Sequence, residues 1–363
     1  MGTFRAGWEG LCVLREFDVR RLRRRARYDK YGLAFAMLLG ASGLQAPAAL
    51  ADPPQLQLPI ACTPGKDCFV QNFPDDDTAP GATRDFTCGL ATYDGHDGTD
   101  IRVLSVEAAK GVKVMAAAAG KVRGARDGVP DHLMRTAADK AALQGHECGN
   151  GVAIVHGDGW ETQYCHMRQG SIRVHEGEVV AAGAELGEVG QSGETQFAHV
   201  HLTVRHDRKP VDPFTGRPLG EAATTCPAAN GAPLWMPAVA AALGAPRTVI
   251  LETGFSSAAP TTDDLELGHS GVAAPGPGSD AIMLFARIMH LRVGDRVHMH
   301  IAFPSGPALD QTSEPSTRDR AVQIFAGARK RGAAGWPVGR YSGSVEVLRG
   351  GQVIARGEAV VGM

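Results

Sequence analysis

Residues 149–166 read GNGVAIVHGDGWETQYCH. Val152 to His156 is a run of strand formers, Gly157-Asp158-Gly159 supplies a turn, and Trp160 to His166 returns. Alternating apolar residues around a glycine-flanked aspartate mark a β-hairpin. Further short apolar segments lie between glycines on either side of it. Val112 to Val114 and Gly120 to Val122 come before; Val174 to Val180, Ala184 to Val189 and His199 to Arg205 come after. One helix is expected over Pro130 to Gln144, capped by Asp131, within an insertion that runs from Arg123 to Glu147. With 46 Gly and 22 Pro among 363 residues, loop-linked strands fit better than long helices. The expected fold class is mostly β and antiparallel.

The first 51 residues stand apart. Arg20 to Lys30 is strongly basic, Tyr31 to Leu44 is apolar, and Ala49-Leu50-Ala51 offers small residues for cleavage. That order reads as a signal peptide, with Gln45 and Pro47 cutting the apolar run short of a membrane span. The protein is therefore expected to be secreted across the inner membrane, to the periplasm or beyond, with no stable membrane span once the signal is removed. The rest of the chain holds 28 basic and 35 acidic residues. An acidic chain of this kind is a poor partner for a phosphate backbone, so no nucleic-acid role is expected.

Beyond the leader, six cysteines remain: Cys62, Cys68, Cys88, Cys148, Cys165 and Cys226. An even number in an exported chain suggests disulfides. The hairpin turn brings its flanks together, which pairs Cys148 with Cys165. Cys62 and Cys68 are close in sequence, and Cys88 with Cys226 follows by elimination. No CxxC pair is present, so a metal site built on thiolates is not expected.

The residues that carry chemistry are histidines and an aspartate. His96-Asp97-Gly98-Thr99-Asp100 sets a His and an Asp four positions apart around a glycine. His199-Val200-His201 sets two His at i and i+2, on one face of a strand. A catalytic zinc takes three protein ligands of N and O type and keeps a fourth position open. His96, Asp100 and one His of the pair supply such a set, and the other His is left beside the metal. His166, at the end of the hairpin, adds an imidazole. His298-Met299-His300 repeats the spacing, but no His-x-x-x-Asp precedes it, and it is read as structural. So are His132, His146, His156, His175 and His206.

Taken in order, Gly95 to Asp100, Gly149 to His156, Glu161 to His166, Gly177 to Val180, Gly187 to Gly193 and His199 to Leu202 resemble the M23 (lysostaphin-like, LytM) zinc metallopeptidase family, over about Tyr93 to Phe214. The resemblance implies a small antiparallel β-sandwich with its site in an open groove, Zn2+ as cofactor and peptidoglycan peptides as substrate. Residue by residue it makes His96, Asp100 and His201 the metal ligands and His166 and His199 catalytic, without dividing acid from base between them. A tyrosine that assists the site in some relatives has no clear counterpart; Tyr93 lies nearest. The insertion, the cysteines and the added C-terminal unit depart from the simplest members.

The expected organisation is a signal peptide over 1–51, an N-terminal extension over 52–89, the peptidase domain over 90–226, a linker over 227–247 and an all-β domain over 248–363. In the last, six strand candidates at regular spacing suggest an immunoglobulin-like sandwich. Its candidate roles are binding wall, binding a protein partner and covering the groove. All five candidate site residues fall between His96 and His201, so this domain is expected to be dispensable for the chemistry. Two functional readings remain. One is an exported endopeptidase cutting peptidoglycan cross-links. The alternative is a catalytically silent relative that activates another wall hydrolase.

Overall fold

The computed structural model describes residues 52–221, 231–332 and 335–363. The expected signal peptide and Cys226 lie outside the described residues. Among those described, no helix is long and apolar enough to cross a membrane.

The hairpin forms as expected, with strands Asn150–Gly157 and Trp160–Met167. It lies in the middle of an antiparallel sheet. The strand order is Cys68–Asn72, Thr99–Val103, His199–His206, Trp160–Met167, Asn150–Gly157, Gly120–Arg126, Val179–Val180, with Lys209–Asp212 and Arg217–Pro218 added at the side. A second, two-stranded sheet pairs Lys113–Met115 with Glu185–Glu188. Strand alternation sets the faces of the large sheet. Ile101 and Val103, with Val200, Leu202 and Val204, point into the core. Asp100 and Arg102, with His199 and His201, therefore occupy the opposite face.

The core draws on more of the chain than the hairpin and its neighbours. Leu56, Ile60, Val70 and Phe73 from the segment before residue 90 belong to it, as do Leu234, Trp235 and Leu243 from beyond residue 230. Phe73, Phe86, Phe214 and Trp235 form a connected aromatic cluster with centroids 4.9–5.8 Å apart. Two disulfides match the expected pairing, Cys62–Cys68 and Cys148–Cys165. Cys88 is also disulfide-bonded.

The expected helix starts later than its proposed cap. It spans Ala137–Ala142, with Thr136 and Asp139 forming a reciprocal capping box. Asp131 instead reaches across the fold to accept the backbone N–H groups of Gln191 and Gln169 at 2.7 and 3.0 Å. No residue of the helix is buried; Leu133, ahead of it, is the residue of this stretch that reaches the interior.

Past residue 248, seven strands form two antiparallel sheets. One is Val249–Ser256, Ala281–Leu291 and Arg320–Lys330; the other is Leu309–Thr312, Arg296–Ala302, Arg340–Arg349 and Gln352–Gly362. Ile282, Leu284, Ala286 and Ile288 of the first meet Val297, Met299, Ile301, Tyr341 and Val345 of the second in one core. Leu309–Thr312 was not among the strand candidates. Its four residues carry only one apolar side chain, and none is buried.

The two halves share buried groups, apolar and charged. Phe69 packs with Leu251 and Met289. Arg102, at 1% exposure, donates to Glu266 Oε1 at 2.7 Å, and Arg287 Nη1 stands 2.8 Å from the same oxygen. Arg287 Nε is 2.7 Å from Glu252 Oε1, whose other oxygen meets His269. Burial pushes the Glu266 carboxyl up, but Arg102 and Arg287 outweigh it and hold it below its usual range. The C-terminal sandwich is thus the partner of a charge buried in the first sheet. Breaking a buried ion pair by removing one member costs about 3–5 kcal/mol, against a total stability of about 5–15 kcal/mol for a domain. Residues 52–230 alone lose Glu266 and also Trp235. We expect that fragment to aggregate, or to melt well below the full chain. A monomeric fragment with the full chain's thermal transition would restore the view that the second unit is separable.

Candidate metal centre

Antiparallel register places Asp100 directly opposite His201, and Arg102 opposite His199. Since opposed residues on adjacent strands project from the same face, a carboxylate and an imidazole meet without any loop to position them. His96 arrives from the turn just before Thr99–Val103. Its Nε2 lies 3.1 Å from Asp100 Oδ1 and 3.2 Å from His201 Nδ1, while His201 Nδ1 lies 2.8 Å from Asp100 Oδ1. Gly98 keeps this corner open, because a Cβ there would stand 2.6 Å from His201 Nε2.

These three atoms form a triangle with edges of 2.8–3.2 Å. Tetrahedral ligands at zinc–nitrogen and zinc–oxygen distances are separated by about 3.4 Å. The set therefore needs only a small expansion to hold zinc. The remote atom of each residue is also fixed. His96 Nδ1 donates to the Phe73 carbonyl at 2.7 Å. Asp100 Oδ2 accepts from Asn72 Nδ2 at 2.7 Å. His201 Nε2 meets Thr203 Oγ1 at 2.9 Å and Asp97 Oδ1 at 3.2 Å. Such outer partners hold ring orientation and tautomer at metal sites. Asn72 ends the strand that precedes the motifs and Phe73 follows it, and no local spacing linked them to the site. A second trio, His166, His199 and His201, shares one imidazole with the first.

His166 reaches the site through a bulge. The hairpin pairs Asn150 with Met167 and Val152 with Tyr164, so two steps on one strand span three on the other. The extra residue shifts the alternation, and His166 takes a left-handed backbone with φ 62°. Strict alternation would have sent its ring away from Cys165 and His201, which are cross-strand partners. Instead the ring lies 4.7 Å from that of His199. Its Nδ1 donates to the Ser192 carbonyl at 2.8 Å, and its N–H donates to the Cys148 carbonyl. Gly149 makes the Ser192 contact possible, since a Cβ there would sit 2.4 Å from the Ser192 backbone. His199 Nδ1 donates to the Phe197 carbonyl at 2.9 Å, leaving Nε2 3.3 Å from Asp100 Oδ1.

The electrostatics separate these groups. Burial, then the neighbouring His199 and His201, pulls His166 well below the usual histidine value and keeps it neutral. Burial acts the same way on His201, but hydrogen bonds to Asp100 and Asp97 outweigh it and raise this imidazole to about 9. Burial would raise Asp100, yet His96 and His199 hold it well below the ordinary carboxylate range. The groove over the site is lined by Tyr93, Asp97, Gln163, His166, His201 and Arg205. Tyr93 lies against His96, with ring centroids 4.4 Å apart.

The other histidines are placed elsewhere. His298 faces Asp310 and Glu346, and no metal-holding trio among the described residues includes it. His156 bonds the Ala119 carbonyl and Thr162, and His206 stacks on Trp160.

Parts of the chain are similar to known proteins. A segment of 116 residues is 29% identical to the cell division protein DipM of Caulobacter vibrioides, covering 30% of this chain and 16% of that protein. Among solved structures, the SpoIIQ–SpoIIIAH pore-forming complex matches with a TM-score of 0.31 at 19% identity, over 46% of this chain and 92% of that one. The catalytic domain of the prophage-encoded M23 protein EnpA from Enterococcus faecalis matches with a TM-score of 0.27 at 22% identity, over 42% and 85%. The model of peptidase family M23 matches residues 94–213, a third of the chain, which contain all five candidate residues and the whole hairpin.

Proposed function

We propose that this chain is an exported zinc endopeptidase that hydrolyses peptide cross-links of bacterial peptidoglycan. The observation that carries the reading is the triangle of His96 Nε2, Asp100 Oδ1 and His201 Nδ1, with edges of 2.8–3.2 Å and two further imidazoles beside it. Bound there, zinc supplies a Lewis acid for the scissile carbonyl and a water acidified to a pKa of about 7.

The chain's own residues do the rest. His166 is held neutral with its proton on Nδ1, so Nε2 is free to accept a proton from the attacking water. His199 carries its proton on Nδ1 in the same way, with Nε2 turned to the site. Between them the two rings can take the proton from water and return it to the amine that leaves as the C–N bond breaks. The open groove admits an extended peptide, and Gln163 and Arg205 are among its lining residues.

Incubation of the purified protein with purified peptidoglycan should release new amine termini, stop on addition of a chelator and resume with zinc. Full zinc loading without cleavage would favour the silent, activating role. Replacing His96, Asp100 or His201 by Ala should lower zinc content and abolish activity; near-stoichiometric zinc in all three variants would sink the ligand assignment. His166→Ala and His199→Ala should keep their zinc and lose about 10²- to 10⁴-fold in turnover, and a variant working at the parental rate removes that residue from the mechanism. Asn72→Ala should weaken zinc binding by about 10- to 100-fold, measured by competition with a chromogenic chelator; unchanged affinity would mean that Asn72 does not orient Asp100.

A further inference from the structure

We infer that Glu266, in the C-terminal sandwich, is a positioning residue for the M23 site: it fixes Arg102, whose guanidinium holds the Phe197 ring against His199. The inference rests on the proposed role of His199. Arg102 is the cross-strand partner of His199 and lies on the same face of the sheet. Its guanidinium carbon stands 4.8 Å from the centre of the Phe197 ring. His199 also contacts Phe197, stacked on it at 4.3 Å with the planes 27° apart. The Phe197 carbonyl accepts the His199 Nδ1 proton, so one residue grips the imidazole by face and by edge. Thr195 Oγ1 donates to the same carbonyl at 2.7 Å.

The first sheet offers Arg102 no compensating charge. Its Nη1 donates to Gln71 Oε1, a neutral acceptor, and its Nε is buried without a hydrogen-bond partner. The compensating charge comes from Glu266 at 2.7 Å. Glu266 is in turn held by Arg287 and by the Ser105 hydroxyl, which donates to Oε2 at 3.2 Å. The Gln191 side chain also donates to the Glu266 carbonyl at 3.0 Å, which ties the segment before Ser192 to the same short helix, Thr262–Glu266. Arginine suits the position because a planar cation can lie on an aromatic ring while its edge pairs with a carboxylate. A plain interdomain ion pair would require neither the ring nor the register with His199.

The test uses the full-length, zinc-loaded protein and the variants Glu266→Gln, Phe197→Leu and their double. Glu266→Gln keeps shape and loses charge. It should lower kcat about tenfold, as expected for a reacting group displaced by a fraction of an ångström, with KM and zinc content unchanged. Because both act through one ring, the double variant should be no slower than Phe197→Leu alone. Glu266→Gln at the parental kcat overturns the inference, and a double variant whose losses multiply overturns the route through Phe197. If Glu266→Gln does not fold, Arg102→Lys carries the same test, since it keeps a cation beside Glu266 but loses the plane that covers the ring; a parental kcat there is equally fatal. The His199 Nδ1–H resonance, assigned by its loss in His199→Gln, gives a readout that needs no turnover. It should shift and exchange faster in Glu266→Gln. A parent that does not cleave peptidoglycan removes the proposed function, whereas an unmoved resonance removes this inference.

Discussion

Asp100 and His201 oppose each other across two hydrogen-bonded strands, and the rest of the site is arranged around that register. A slip of one residue would turn both side chains into the core and bring Ile101 and Val200 to the surface. The core prevents it, because Ile101, Val103, Val200 and Leu202 are completely buried on the other face. Hydrophobic burial and the meeting of Asp100 with His201 are therefore one constraint read from two sides of the same strands. His96 and His166 join from a turn and from a bulge, where the backbone leaves regular pairing.

Burying charges beneath such a site has a cost that only pairing can offset. Arg102 and Arg287 are both buried, with Glu266 between them and Glu252 beyond. Apolar residues of similar volume could fill this space at least as stably. What the charged row adds is direction, since guanidinium and carboxylate groups accept few geometries. The orientation of the two halves is set there, and so is the angle at which Arg102 meets Phe197.

Local patterns made part of this visible in advance. The hairpin was legible because a Gly-Asp-Gly turn separates two runs of strand formers, and the grouping of His96, Asp100 and His201 because their spacings match strand periodicity. Cys148–Cys165 followed from the hairpin's closure. The bulge was hidden, because the extra residue in Tyr164 to Met167 appears only when the partner strand is counted. Asn72 and Phe73 were hidden as well: they bond Asp100 and His96 from more than twenty residues upstream. Trp235 looked like part of a linker, since one aromatic residue near alanines carries no period. The network from Arg102 to Glu266 spans 164 residues, and nothing short of tertiary structure could connect them. Asp131 was misread for a related reason. An aspartate ahead of an apolar run is a good helix cap, but here two backbone N–H groups across the fold satisfy it better.

The Cys148–Cys165 bond sits where His166 is shaped. Cys148 offers its carbonyl to the His166 N–H, and Cys165 is the residue just before it. A bulge depends on its neighbours to stay in register, and here the neighbours are joined covalently. That joint is made by oxidation after the chain has been synthesised. Strand pairing brings Asp100 and His201 together, whereas the backbone at His166 is tied to a bond that forms only where thiols are oxidised.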